Sequence, residues 1–162
     1  MKNFPIILCL LFSLLLVGCS QESKQEGLSE VNVEELKKSL SIDFSKKEVK
    51  ELLGKPDDVA KENSLKGGDK GNPEYWRYDF PTEGYSFDAE TPDDIDLEGL
   101  LKGDMKIQLR LAWTSDFPKK LGSYSIFYKD NDGLIYWYYH NDTDENYSVY
   151  EPKSDSFIDV QK

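Results

Sequence analysis

Cysteine and histidine are scarce in this chain of 162 residues, which contains two cysteines and one histidine. Both cysteines, Cys9 and Cys19, lie within the first 19 residues. The rest of the chain therefore has no thiol for a disulfide, a thiolate metal site or nucleophilic catalysis. His140 has no second histidine or cysteine to complete a zinc site, so we predict no metal and no other cofactor. The stability of the fold must then come from its hydrophobic core.

Signatures of catalysis are lacking as well. No serine lies in a Gly-x-Ser-x-Gly elbow, and a Ser-His-carboxylate arrangement would have to recruit His140 from a predicted hairpin strand. A calcium-binding loop has alternating ligand residues and a glycine at its sixth position. The acidic stretch from Asp88 to Glu98 does not have this pattern. We predict no catalytic residue and no enzymatic activity.

Positive charge is low relative to negative charge. The chain has 20 basic and 31 acidic residues, which gives a net charge of −11 at pH 7. A surface of this sign repels phosphate backbones and anionic lipid headgroups, so nucleic acid is excluded as the main partner. If the protein is held at a membrane, a lipid has to anchor it.

The beginning of the chain has the pattern of a secretion signal. Lys2 precedes an apolar stretch over residues 4–17, which is shorter than the ~20 residues that a helix needs to cross a bilayer. The stretch ends in Leu16-Val17-Gly18-Cys19, a run that resembles the lipobox of bacterial lipoproteins. The resemblance implies cleavage after Gly18 and acylation of Cys19, for example with palmitate. Two or more acyl chains anchor a protein stably.

These features predict the organisation of the chain. We expect a signal peptide at 1–18, a lipidated polar tether at 19–30 and a single α+β domain at 31–162. After cleavage the chain would have 19 basic and 31 acidic residues, a net charge of −12. The predicted location is the extracytoplasmic face of the bacterial cell membrane, with the membrane contacted through the lipid on Cys19.

Two capping patterns predict helices at the start of the domain. Asn32 is followed three residues later by Glu35, and Ser45 by Glu48, the spacing of a capping box. The first helix is expected over residues 33–40. The second is expected to end at Gly54, with the glycine in the left-handed position.

The segment from Ser45 to Asp57 ends in Leu52-Leu53-Gly54-Lys55-Pro56-Asp57. It is similar to the helix end of small lipoproteins of the SmpA/OmlA type and, more broadly, of the β-lactamase-inhibitor-protein-like fold. In those families an aromatic strand follows, and the run Tyr75 to Phe80 fits that place. The insertion at 67–73 departs from the shorter family hairpin. The resemblance implies an α+β fold with N-terminal helices packed on one face of an antiparallel β-sheet. It implies no particular function.

The rest of the domain has strand periodicity. Apolar residues alternate over 107–113, and the runs 124–129 and 134–140 flank Asp130-Asn131-Asp132-Gly133, a hairpin signal. Residues 147–150 predict a last strand before Pro152. A short helix is expected to begin at Thr91-Pro92 and to stop at Gly103.

The hairpin also allows a prediction of faces. With an even number of loop residues, Tyr124, Ile126 and Tyr128 share the core face with Ile135, Trp137 and Tyr139. The opposite face then presents four candidate partner-binding residues: Arg77, Arg110, Tyr136 and Tyr138. Arginine and tyrosine suit peptide or anionic-polymer recognition because both combine apolar area with directed donors. The alternative is that they form ordinary cross-strand pairs on a solvated face.

These observations predict a non-enzymatic binding or interaction module for a cell-envelope protein or polymer. The alternative class is a small extracytoplasmic enzyme or a solute-binding protein that uses its surface carboxylates.

Overall fold

A computed structural model describes residues 31–61, 74–91, 93–114 and 119–161. The predicted signal peptide, Cys19 and the tether lie outside these residues. The described residues form three helices and seven strands: α1 (Val33–Ser39), α2 (Lys46–Leu53), β1 (Asp58–Lys61), β2 (Glu74–Pro81), α3 (Leu97–Lys102), β3 (Met105–Trp113), β4 (Leu121–Lys129), β5 (Ile135–Asn141), β6 (Glu145–Glu151) and β7 (Ser156–Val160).

The strands form one open antiparallel sheet in the order β1-β2-β3-β4-β5-β6-β7, so every strand pairs with its neighbours along the chain. The predicted antiparallel sheet is therefore confirmed. Its two edge strands, β1 and β7, were not predicted. β1 has only four residues, and β7 follows the turn at Pro152 that the sequence analysis took as the end of the sheet.

Local capping chemistry forms the helix starts as predicted. The Asn32 side chain accepts a hydrogen bond from the Glu35 backbone N–H at 2.9 Å. Ser45 and Glu48 form the reciprocal capping box, with the Ser45 N–H donating to Glu48 Oε2 at 2.7 Å. Gly54 has φ +81° and ψ −156° rather than left-handed helical angles. This region is essentially restricted to glycine, so the need for glycine remains.

Helix α3 begins later than predicted. Its N-cap is Asp96, whose Oδ1 accepts from the Gly99 N–H at 2.8 Å, rather than a residue near Thr91. The helix stops at Gly103, as predicted, and this residue has φ +83° and ψ +13°, a left-handed conformation. No helix among the described residues is both long enough and apolar enough to span a membrane.

One face of the sheet, the core face, carries the larger hydrophobic cluster. Leu36 of α1 and Val49 of α2 are fully buried members of this cluster. The sheet contributes its central strands, including a Trp76–Trp113 edge-to-face pair with ring centroids 4.7 Å apart. Further buried cluster residues from the strands are Tyr78, Ile107, Leu109, Leu111, Tyr124, Ile126, Tyr128 and Tyr138.

The opposite face, which we call the arginine face, bears Arg77, Asp79, Gln108 and Arg110. It is not the open solvated face that we predicted. The connection between β2 and β3 crosses it, and a second cluster forms there around Leu100 of α3. The other buried members are Met105, Phe127 and Ile135, with Tyr85, Phe87, Ile95, Leu97, Trp137, Tyr150 and Phe157 packed against them.

The predicted hairpin register is wrong by one residue. Lys129 pairs with Ile135 and Tyr128 pairs with Tyr136, so the loop holds an odd number of residues, 130–134. Because side chains alternate between faces, a shift of one residue moves every side chain of β5 to the opposite face of the sheet. Tyr136 and Tyr138 therefore lie on the core face. Trp137 and Tyr139, which were expected in the core, lie on the arginine face with Arg77 and Arg110.

Candidate functional site: an aromatic groove beside Arg110

A continuous row of paired residues crosses the arginine face. Arg77 of β2 lies opposite Arg110 of β3, Arg110 opposite Ser125 of β4, and Ser125 opposite Tyr139 of β5. Two like charges directly opposite each other destabilise an antiparallel pair. The two arginines therefore need compensating contacts, and among the described residues only Arg77 has an ion pair.

Arg77 is held by carboxylates. Its side chain is only 8% exposed, and its Nε donates to Asp79 Oδ2 at 3.1 Å. Asp58 Oδ2 lies 3.8 Å from Nη1, and the Phe87 ring centroid lies 5.3 Å from the guanidinium carbon. Burial raises the pKa of Asp79, while hydrogen bonds from Gln108 and Arg77 act against this rise. Arg77 is thus a cation paired within the fold.

A buried hydrogen-bond network fixes the β2–β3 connection to the sheet. Gln108, which is fully buried, donates to Asp79 Oδ1 at 2.9 Å and accepts from the Asp96 N–H at 3.2 Å. Tyr85 donates its hydroxyl proton to Asp96 Oδ2 at 2.8 Å. This hydrogen bond, more than burial, raises the pKa of Tyr85 to about 12. The network satisfies the polar groups that the connection buries, and so it has a structural role.

Arg110 differs from Arg77 because it forms no ion pair with a described residue. Its Nε and Nη2 atoms are buried and have no hydrogen-bond partner in the described part of the chain. The guanidinium carbon lies 5.4 Å from the Phe127 ring centroid. Burial, with a smaller contribution from the nearby Arg77, lowers the pKa of Arg110 to about 10 against the opposing effect of Asp93. At neutral pH Arg110 is still a cation, and no carboxylate of the described residues is bound to it.

Arg110 lines a groove of about 340 Å³. The groove exists because three small residues of the central strands, Ala112, Ser123 and Ser125, occupy positions between larger side chains of the outer strands. Tyr75 of β2 bounds it on one side, and Tyr139 of β5 on the other. Its volume is within the range of about 300–1,000 Å³ that is usual for small-molecule sites.

The wall on the β5 side is aromatic and fixed in place. Trp137 stacks on Phe127 with ring centroids 5.8 Å apart and donates its indole N–H to Ser125 Oγ at 2.9 Å. Phe157 of β7 packs edge-on against Trp137, with centroids 5.7 Å apart. These contacts preset the wall, so a ligand would lose little side-chain entropy by binding to it. We refer to this cavity and its lining as the aromatic groove.

The remaining sequence candidates lie elsewhere. Tyr138 is 2% exposed on the core face, where the Lys37 ammonium lies 4.7 Å above its ring. Tyr136 donates its hydroxyl proton to Asp132 Oδ2 at 2.7 Å, beyond the end of β5. Of the four predicted partner-binding residues, the structure therefore brings Arg77 and Arg110 together and separates both tyrosines from them.

Sequence reasoning missed the small floor residues and placed the aromatic wall in the core. The sequence did contain a signal for the wall, because Trp137 and Tyr139 alternate with Tyr136 and Tyr138, but the predicted register assigned each pair to the opposite face.

His140 packs between tyrosine rings, 5.2 Å from that of Tyr124, and its buried Nδ1 has no hydrogen-bond partner among the described residues. In the described ranges no three histidine, cysteine or acidic side chains are grouped as metal ligands would be.

Comparison with protein-family models, with curated proteins and with solved structures found no match to the chain. The resemblances to the lipobox and to the SmpA/OmlA type stay predictions.

Proposed function

We propose that this protein is a lipid-anchored binding module of the bacterial cell envelope, held at the extracytoplasmic face of the membrane by acyl chains on Cys19. Its partner is an envelope protein or polymer, part of which enters the aromatic groove. The observation that carries the proposal is the cation of Arg110: its Nε and Nη2 atoms are buried, it lines a preformed groove, and it has no ion pair among the described residues.

Energetics support a binding role for Arg110. A charge whose polar atoms are buried without a partner is destabilising, and natural proteins keep such arrangements mainly at functional positions. Arg77 provides the comparison within the same fold, because it is the more deeply buried of the two arginines and is paired with Asp79. In this proposal α1 and α2 cover the core face, which leaves the groove on the arginine face for the partner.

The proposal is non-enzymatic. A catalytic histidine is normally oriented by a carboxylate on its second nitrogen. The Nδ1 atom of His140 has no such partner in the described part of the chain. The groove-lining hydroxyl of Ser125 accepts the Trp137 indole N–H, a contact that orients the tryptophan.

Anchoring is tested by replacing Cys19 with alanine. The wild-type chain should incorporate a fatty-acid label and fractionate with membranes, whereas Cys19→Ala should lose the label and accumulate as an uncleaved or shed form. Equal labelling and processing of the two chains would disprove the anchor.

Binding is tested by affinity capture from solubilised envelopes with three forms of the full chain. The groove variant Ala112→Leu fills the floor, and Leu134→Ala changes a side chain that is 46% exposed in the β4–β5 turn, away from the groove. A specific partner should be captured by the wild type and by Leu134→Ala but not by Ala112→Leu. Identical capture by all three forms would contradict a role for the groove.

A further inference from the structure

We propose that the aromatic groove recognises a single carboxylate attached to an apolar body, and that its natural occupant is a peptide segment ending in an apolar residue with a free C-terminal carboxylate. This inference rests on the proposed function and specifies the chemistry of the ligand.

Charge complementarity gives the polar half of the ligand. A guanidinium presents a planar fork of N–H donors that matches the two oxygens of a carboxylate. The Nε and Nη2 atoms of Arg110 lack an acceptor among the described residues. A carboxylate in the groove would supply the missing countercharge, and rotation of the guanidinium would turn these covered N–H groups towards it.

The lining of the groove gives the apolar half. Trp137, Phe157 and Tyr75 surround the floor, and Ile95 completes the apolar border. Aromatic walls of this kind bury an apolar side chain or ring, at roughly 25 cal/mol per Å² of area removed from water. A small hydrophilic anion would not fill the groove and would make no apolar contact with its aromatic walls.

The charge of the whole chain limits the ligand to few negative charges. The net charge is −11, and Asp93 borders the groove next to Arg110. A polyanion would place further charges against this acidic surface, whose repulsion outweighs the attraction of one arginine. A peptide carboxyl terminus has one negative charge beside an apolar side chain, which is the combination that the groove fits.

The test uses two probes that differ only in charge, N-acetyl-L-tryptophan and its neutral amide, titrated by calorimetry into the lipidated chain in detergent micelles. Titration of each probe into micelles alone is subtracted. We expect the acid to bind at least about tenfold more tightly than the amide, the usual worth of a charge-assisted arginine contact. Inorganic phosphate, the third probe, should bind at least about tenfold more weakly than the acid because it has no apolar body.

Two variants separate charge from shape. Arg110→Met should reduce the affinity for the acid to that of the amide, and Ala112→Leu should abolish the binding of both while the charge is kept. Leu134→Ala should bind both probes like the wild type. Circular dichroism verifies that each variant is folded, and if Arg110→Met is not, Arg110→Gln, which also removes the charge and carries the same expected result, replaces it.

Several results would overturn the inference: equal affinity for acid and amide, tight binding of phosphate, unchanged affinity in Arg110→Met, or no binding of the acid. If envelope capture still depends on the groove in that case, the ligand chemistry proposed here is wrong and the binding module stands. If capture is also unaffected by Ala112→Leu, both proposals fail.

Discussion

Removing the charge of each of the two paired arginines should change the stability of the fold by very different amounts. We expect Arg77→Met to destabilise the fold strongly and Arg110→Met to leave its free energy of unfolding nearly unchanged. Methionine keeps an unbranched apolar stem at each position, so the comparison isolates the guanidinium. The residues are direct cross-strand partners on neighbouring strands, which makes each variant the control for the other.

The expected magnitude follows from the contacts of each residue. Arg77→Met leaves Asp79, whose side chain is 10% exposed, without its cation. Removing one partner of a buried pair costs about 3–5 kcal/mol, and because Gln108 still donates to Asp79 we expect about 2–4 kcal/mol. Arg110→Met breaks no ion pair with a described residue. It loses the contact with the Phe127 ring, worth about 0.5–2 kcal/mol, and gains similar stability because a partly buried cation without an ion pair is removed.

Urea unfolding of the lipidated chain in detergent, followed by tryptophan fluorescence and circular dichroism, measures both free energies. The Arg77 variant should be less stable than the Arg110 variant by about 2 kcal/mol or more. Equal losses, or a larger loss for Arg110→Met, would refute the reasoning, because Arg110 would then have a stabilising partner.

Three further changes test the fold. Gly54→Ala should lower the free energy of unfolding in urea by about 1–3 kcal/mol. The space beside Gly54 is open, but φ +81° with ψ −156° strains any residue that has a Cβ. An unchanged free energy of unfolding would contradict the assigned conformation. Burial raises the pKa of Glu74, but hydrogen bonds from Lys46 and Trp76 lower it overall. The carboxylate therefore stabilises the fold above about pH 4.5, and this stabilisation is lost as the pH falls through the depressed pKa. Glu74→Gln should lose less stability at acid pH than the wild type does, and an unchanged pH profile would exclude this. Gly99→Ala should destabilise the fold, because a Cβ there would lie 2.1 Å from Asp96 Oδ2. The loss of stability should be smaller when Asp96 is also replaced by alanine. Additive losses would show that the two positions do not interact.

The sequence predicted those elements whose signals are local. These include the Asn32 N-cap, the Ser45–Glu48 capping box and the glycine stops at Gly54 and Gly103. Each depends on residues within one helical turn, and the structure forms them at the expected positions. The strict alternation in β2 and β3 likewise placed Arg77 and Arg110 on one face. Each of these signals is contained in a short window of the chain, which is why it could be interpreted without knowledge of the fold.

The groove could not be predicted because it depends on distant residues. One additional residue in the β4–β5 loop reverses the faces of β5, and the sequence of the turn does not fix this count. The burial of Arg77 and Gln108 depends on the β2–β3 connection, whose Tyr85 and Asp96 have no periodic pattern that would dock them on the sheet. The cavity itself results from Ala112 and Ser123 meeting across two strands, which only the register reveals.

Nuclear magnetic resonance of the arginine Nε–H groups tests the central claim most directly. In the lipidated chain labelled with ¹⁵N, the Arg110 Nε–H signal is assigned by its loss in Arg110→Met, and N-acetyl-L-tryptophan is then added. We predict that the Arg110 signal shifts to saturation with the same dissociation constant as calorimetry gives, while the Arg77 signal, already bonded to Asp79, shifts much less. Binding of the acid that leaves the Arg110 signal in place would contradict the account.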